Sequence, residues 1–260
     1  MIQTCIFMKH LYIFCLGLLF LHQGSMAQEQ KTSFQGETIQ FNSGDGIRVT
    51  ADLYMSESAD APFIILFHQA AYSRGEYREI APRLNALGYN CMAVDQRSGK
   101  EVAGIQNLTH KMAVENNLPT EYLDALTDIE AAYVYVKHGI KPGKLILWGS
   151  SYSAALMFYM GSEHHKNIAG ILAFAPGEYF KINGKEIKTF ASKVTAPVFV
   201  TSAKNEYPKW KSIYDAVQSE KFSYLPENEG KHGSKALWKN NPGQEMYWDA
   251  VERFLAKIKE

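Results

Sequence analysis

The chain has 260 residues, 46% of them hydrophobic, with 27 basic and 27 acidic side chains and therefore no formal net charge. It carries no basic tract and no charged tail, which argues against nucleic acid as a partner. There is no internal repeat and no low-complexity linker, so a solenoid or a string of modules is not expected.

Residues 1–27 read as a secretory signal peptide. Leu11 to Leu21 is almost wholly apolar, Lys9 and His10 precede it, and Ser25-Met26-Ala27 supplies a small-x-small ending. The apolar run is shorter than the roughly 20 residues of a membrane span, so no span is expected in the mature chain. Met8, followed by Lys9-His10, makes a better start than Met1, and both starts stay open. A lipidated Cys15 is disfavoured, because Tyr12-Ile13-Phe14 lacks the small residues expected before such a cysteine. Cleavage near Ala27 would release a periplasmic or extracellular protein. Residues 28–36 read as a disordered leader and 37–260 as one domain, a length that suits a single α/β unit. Cys5 and Cys15 fall in the signal, which leaves Cys91 alone in the mature chain. No intramolecular disulfide and no cysteine metal cluster is then expected. Cys91 lies in the strand-like run Tyr89 to Val94 and reads as a buried, inert thiol.

Thr38 to Asn42 and Ile47 to Met55 alternate in strand fashion around Ser43-Gly44-Asp45-Gly46, a hairpin signal. Pro62 to Phe67 is a continuous apolar run, expected of a strand covered on both faces. Glu76 to Leu87 has helical spacing and stops at Gly88. Asn90 to Val94 is the next strand, and Gln96 to Leu118 reads as irregular. Thr120 to His138 predicts a helix that begins after Pro119, with Tyr122, Leu126, Ile129, Tyr133 and Val136 on its apolar face. Strands are expected at Lys144 to Trp148, Ala169 to Phe174, Pro197 to Thr201 and Phe222 to Leu225, and helices at Tyr207 to Ser219 and Gln244 to Lys259. An antiparallel N-terminal hairpin followed by alternating strands and helices predicts an α/β fold, with a mostly parallel, doubly covered sheet. Sites in such sheets lie at the carboxyl ends of strands.

One of those ends is Lys144-Leu145-Ile146-Leu147-Trp148-Gly149-Ser150-Ser151-Tyr152-Ser153. An apolar strand runs into a tight turn and then a small-apolar helix. A serine at such a turn has its hydroxyl pushed out at the sheet edge, and the helix N-terminus behind it offers free N–H groups to developing negative charge. Ser153 stands where the G-x-S-x-G pattern has its second glycine, a position that needs a small side chain. A strand–turn–helix connection with a capping serine would look similar. Other strand ends also carry polar groups: His68-Gln69-Ala70-Ala71, Asp95-Gln96-Arg97-Ser98-Gly99 and Ser202-Ala203-Lys204-Asn205-Glu206. A late loop ends Gly230-Lys231-His232-Gly233.

Across about residues 38–258 these features resemble the α/β-hydrolase family, and within it the dienelactone-hydrolase-like branch. The resemblance implies the chain order nucleophile, acid, histidine. Ser151 would be the nucleophile and His232 the general base. Asn205 aligns where the family has aspartate, and Glu206 is next to it. A carboxylate can stabilise imidazolium where an amide cannot, and Glu206 is the preferred acid because its longer arm can compensate for a one-residue displacement; Asn205 is the alternative. The oxyanion hole would be the amide of Tyr152 with that of Ala70, or of Gln69 second. His68 is expected to be structural, near that hole. Tyr72, Tyr152 and Tyr207 are candidates to line the pocket.

The connection from 174 to 197 is where larger relatives insert a cap. Here it is about 20 residues long, with Asn183-Gly184 suggesting a hairpin. The expected substrate is a small-molecule or polymer-attached ester, with no cofactor and no metal, in a monomer or weak homodimer. Two other readings compete: a serine peptidase of the prolyl-oligopeptidase type, and a non-enzymatic binding protein with an impaired triad, motivated by Asn205.

Overall fold

The structure, a computed structural model, describes residues 36–259 except 57 and 59. The expected signal peptide over 1–27, and all of the expected leader except Gly36, lie outside the described residues.

The chain opens with an antiparallel pair, β1 (Glu37–Asn42) and β2 (Arg48–Tyr54), joined by the predicted Ser43–Gly46 turn, which the Ser43 amide closes on Ile47 O at 2.8 Å. Strand β3 (Phe63–Phe67), helix α1 (Ile80–Ala86) and strand β4 (Asn90–Val94) follow. A small hairpin, β5 (Glu101–Val102) with β6 (Ile105–Gln106), leads to helices α2 (Leu108–Glu115) and α3 (Ala125–Val134). Then come β7 (Leu145–Ser150), α4 (Tyr152–Glu163), β8 (Gly170–Phe174), α5 (Ile187–Ala191), β9 (Val198–Thr201), α6 (Tyr207–Ala216), β10 (Lys221–Tyr224) and α7 (Gln244–Lys259).

The main sheet has eight strands in the order β1-β2-β4-β3-β7-β8-β9-β10. The pairs β1·β2 and β2·β4 are antiparallel and the others parallel. From β3 the chain steps to β4 on one side, then crosses back to β7 on the other. The strand order therefore reverses between β3 and β7, the switch point at whose carboxyl ends sites in such sheets lie. The continuous apolar runs reflect burial on both faces. In β3, Phe63, Ile65 and Phe67 join the core under α3–α6, and Ile64 and Leu66 join the core under α1 and α7. In β7, Leu145 and Leu147 face the first core, and Ile146 and Trp148 the second.

Several expectations change in detail. The helix expected from Glu76 to Leu87 is a 3₁₀ turn at Arg74–Tyr77, capped by Ser73 Oγ on the Gly75 amide, followed by the shorter α1. The helix expected over Thr120 to His138 begins only at Ala125. Tyr122 leaves the helical face and stacks on Tyr152, with ring centroids 4.8 Å apart. The helix then widens into a π turn at Tyr135–Ile140 and ends at Lys141, whose φ is 57°. The stretch Gln96 to Leu118 is not irregular: Asn107 caps α2 by accepting from the His110 amide at 2.8 Å. The turn at Asn183-Gly184 forms, with φ values of 49° and 75°, but holds one bridge, Ile182 to Lys185, instead of a two-stranded hairpin.

Two largely buried ion-pair clusters fix the loops near the end of β4. Arg97 bridges Asp45 at 2.6 Å and Asp128 at 2.8 Å, and Arg74 bridges Asp52 at 2.9 Å and Asp95 at 2.7 Å. Asp95 and Arg97, polar groups at the end of β4, are thus occupied by the scaffold.

Candidate active site

Ser151 sits between β7 and α4 with φ 58° and ψ −120°. This combination lies outside the ordinary left-handed basin and costs of order 1–3 kcal/mol. Neighbouring contacts hold it in place. The Ser151 amide donates to Phe174 O at 2.7 Å, and a Cβ on Gly149 would meet the Ala154 backbone at 2.6 Å, so only glycine allows the turn to close on the helix. Ser153, in the place of the second glycine, is fully buried. Its hydroxyl donates to His68 O at 2.6 Å and accepts from Gln96 Nε2 at 2.6 Å. The small side chain therefore also ties the turn to the ends of β3 and β4, a use that size alone does not reveal.

The loop after β10 brings His232 to this serine. His232 Nε2 lies 2.8 Å from Ser151 Oγ, and Nδ1 lies 2.7 Å from Glu206 Oε1. Glu206 ends the 3₁₀ turn Lys204–Glu206 after β9 and is buried, whereas Asn205 is exposed. Burial pushes the Glu206 carboxyl up, but the hydrogen bond and charge of His232, the Ala203 amide and Lys209 outweigh it, and the net shift is downward. Glu206 is thus ionised where an imidazolium would need it. Of the two acid candidates, it is Glu206 that meets the histidine.

His68 is enclosed differently. Its Nδ1 donates to Gln69 O at 2.8 Å, and its Nε2 accepts from the Gln96 amide at 3.0 Å, which fixes one neutral tautomer. Burial pushes its pKa down to about 4. The other oxyanion candidates also separate. The amides of Tyr152 and Ala70 donate to no acceptor among the described residues. The Gln69 amide donates to Glu76 Oε2 at 2.8 Å and is not free for a substrate oxygen. Gln69 is therefore corrected as an oxyanion donor: a buried carboxylate, invisible as a neighbour in sequence, has taken its N–H.

Of the expected pocket residues, Tyr152 packs in place, with its hydroxyl on Ser98 Oγ and Gln96 Nε2. Tyr72 stacks on Trp238 and Tyr207 sits edge-on to Trp210. The rings at the mouth are others. Tyr179 donates to Ala175 O at 2.8 Å and folds across Gly177, in the loop that follows Phe174, whose carbonyl accepts from the Ser151 amide. Tyr122 covers Tyr152, and Phe180 meets Tyr122 edge-on at 6.3 Å. The signal for Tyr179 was available: the loop after β8 leaves the sheet beside the strand that carries Ser151. Among the described residues no group of three His, Cys, Asp or Glu could hold a metal, and no helix is long and apolar enough to cross a membrane.

A mostly parallel sheet with a strained serine at the end of a central strand, and a histidine and an acid on later loops, defines the α/β-hydrolase fold. A family model described as serine aminopeptidase, S33, matches residues 59–224, and the chain belongs to that hydrolase family. Solved structures agree on the fold. A dienelactone hydrolase from Anabaena variabilis superposes with a TM-score of 0.67 at 11% identity, covering 86% of this chain and 98% of that one. An esterase from Pyrococcus furiosus gives 0.65 at 16%, covering 86% and 93%. Est1E from Butyrivibrio proteoclasticus, in a structure with bound ferulic acid, gives 0.66 at 14%, covering 85% and 98%. No curated protein matches the chain in sequence.

Proposed function

We propose that the protein is an exported serine hydrolase that cleaves small carboxylic esters through an acyl-enzyme on Ser151. The observation that carries this reading is the hydrogen-bonded line from Ser151 Oγ through His232 to Glu206, built on a serine with positive φ. In the proposed reaction His232 Nε2 takes the Ser151 proton as Oγ attacks the ester carbonyl. The amides of Tyr152 and Ala70 receive the oxyanion. His232 then returns the proton to the departing alkoxide, and water repeats the sequence to release the acid. Glu206 holds the Nδ1–H and balances the imidazolium charge.

The family description and the peptidase alternative raise amide substrates. Esters are the substrate proposed here, on the likeness to an esterase, a dienelactone hydrolase and Est1E. An ionised Glu206 against His232 weighs against an impaired, purely binding site. Export rests on the signal-like 1–27 segment, and mass spectrometry of secreted protein should find Gln28 at the N-terminus.

The test is reaction with diethyl p-nitrophenyl phosphate and with p-nitrophenyl acetate. Covalent labelling mapped to Ser151 is expected, together with a loss of roughly a thousandfold or more in turnover for a folded S151A variant. Labelling elsewhere, or none in folded protein, would end the proposal.

A further inference from the structure

Glu76 is a carboxylate that the proposed reaction does not use, and it lies directly behind the site. It is fully buried. Its Oε2 accepts from the Gln69 amide at 2.8 Å, in the turn that presents Ala70. Its Oε1 accepts from Ser150 Oγ at 2.8 Å, on the residue before Ser151. Ser150 Oγ in turn accepts from the Ser234 amide at 2.9 Å, two residues after His232. One carboxylate and one hydroxyl therefore link the three loops that must meet for the chemistry: the oxyanion turn, the serine turn and the histidine loop. The packing leaves no slack, since a Cβ on Gly233 would fall 2.4 Å from Gln69 Oε1 and 2.5 Å from Ser150 Oγ.

We propose that Glu76 is a positioning residue, whose ionised carboxylate holds the Ala70 amide and His232 in register with Ser151. The inference rests on the assignment of Ser151 as nucleophile. Hydrogen bonds to a charged acceptor are roughly twice as strong as neutral ones, so the link is stiff in the ionised form. The neutral form requires a different arrangement. A proton on Oε2 would face the Gln69 N–H, donor against donor, so it must sit on Oε1 and be given to Ser150. The Ser150 proton must then turn away, and Gln69 Oε1, a buried oxygen with no hydrogen-bond partner, flanks the same Gly233 position as Ser150 Oγ and is the acceptor proposed for it. Protonation thus reorders the bonds between the serine turn and the oxyanion turn.

The groups facing Glu76 set where this happens. Burial raises its pKa to about 7, against the Gln69 amide, the Ser150 hydroxyl and the positive charges of His232 and Lys235, which lower it. The phenols of Tyr72 and Tyr77 also face it and feel its charge. The exchange between the two arrangements therefore falls in the neutral range.

The test compares the wild-type protein with E76Q and S150A, by p-nitrophenyl acetate kinetics from pH 5 to 9 and by rate of phosphorylation with diethyl p-nitrophenyl phosphate. In E76Q kcat is expected to fall about tenfold or more with KM within about threefold, and the acid limb of the rate profile to lose one of two proton dependences. S150A breaks the link from the other side with a smaller perturbation. It should lower kcat about tenfold at unchanged KM, and it decides the matter if E76Q does not fold. Wild-type kcat with an unaltered acid limb in the folded variants overturns the inference while leaving the nucleophile assignment intact. A wild-type protein that never reacts with the phosphate ester overturns both.

Discussion

Replacing Glu206 by glutamine removes one charge and little volume, and its effect can be worked out from the site. In the transition state His232 is an imidazolium whose Nδ1 lies 2.7 Å from Glu206 Oε1. Two unit charges at that distance attract by about 6 kcal/mol at an effective dielectric constant of ~20. The His232 side chain is 32% exposed and the Glu206 side chain 10%, so water screens part of this. Roughly half, about 3 kcal/mol, is a fair expectation, which corresponds to about a hundredfold in kcat. The measurement is steady-state hydrolysis of p-nitrophenyl acetate at pH 8 by wild type, E206Q and N205A, with circular dichroism to establish that each is folded. Asn205 is exposed, and its replacement by alanine should change kcat by less than about twofold. An E206Q variant within threefold of wild type, or an N205A variant slower than E206Q, would show that the carboxylate does not act through His232.

Three further outcomes are expected. S153A removes one of the hydrogen bonds of the His68 carbonyl and one of those of Gln96 Nε2, both buried; at about 2 kcal/mol for the pair this should lower Tm by roughly 4–8 °C in a differential scanning measurement, and an unchanged Tm would refute the linking role of the hydroxyl. Because the connection between β8 and β9 is short and carries Tyr179 in the loop next to the Ser151 turn, kcat/KM for p-nitrophenyl esters should peak between acetate and butyrate, and Tyr179→Ala should move the optimum to longer chains; a wild-type profile rising through decanoate contradicts this. Glu76 has a folded-state pKa near 7, above its unfolded value of 4.5, so its contribution to stability is fully present below 4.5 and lost as the pH rises through 7. E76Q lacks that titration, and its Tm relative to wild type should rise by about 5 °C between pH 5 and pH 8, whereas a constant difference would mean that Glu76 does not titrate there.

Local pattern carried much of this protein. The apolar runs at β3, β4, β7, β8 and β9 read as strands, that of β3 as one covered on both faces, and the Gly149–Ser153 turn is written in adjacent residues, because the backbone geometry at Ser151 needs Gly149 beneath it. The family likeness supplied His232 as a late-loop histidine and narrowed the acid to two neighbours. Sequence preferred Glu206 to Asn205 on chemistry but could not place either, since adjacent residues of a 3₁₀ turn point in different directions and only the packing of the β9 end sends one inward. It could not show that Tyr122 would abandon its helix, because a stack on Tyr152 is a contact across 30 positions. Nor could it reveal that Glu76, which reads locally as an ordinary acid at a helix start, is buried against Gln69 and Ser150. Those bonds join residues 7 and 74 positions apart, and such neighbours exist only once the sheet has assembled. Elements and turns follow from short-range sterics and periodicity, whereas the choice of acid, the occupied amide and the rings over the site follow from what the folded chain brings together.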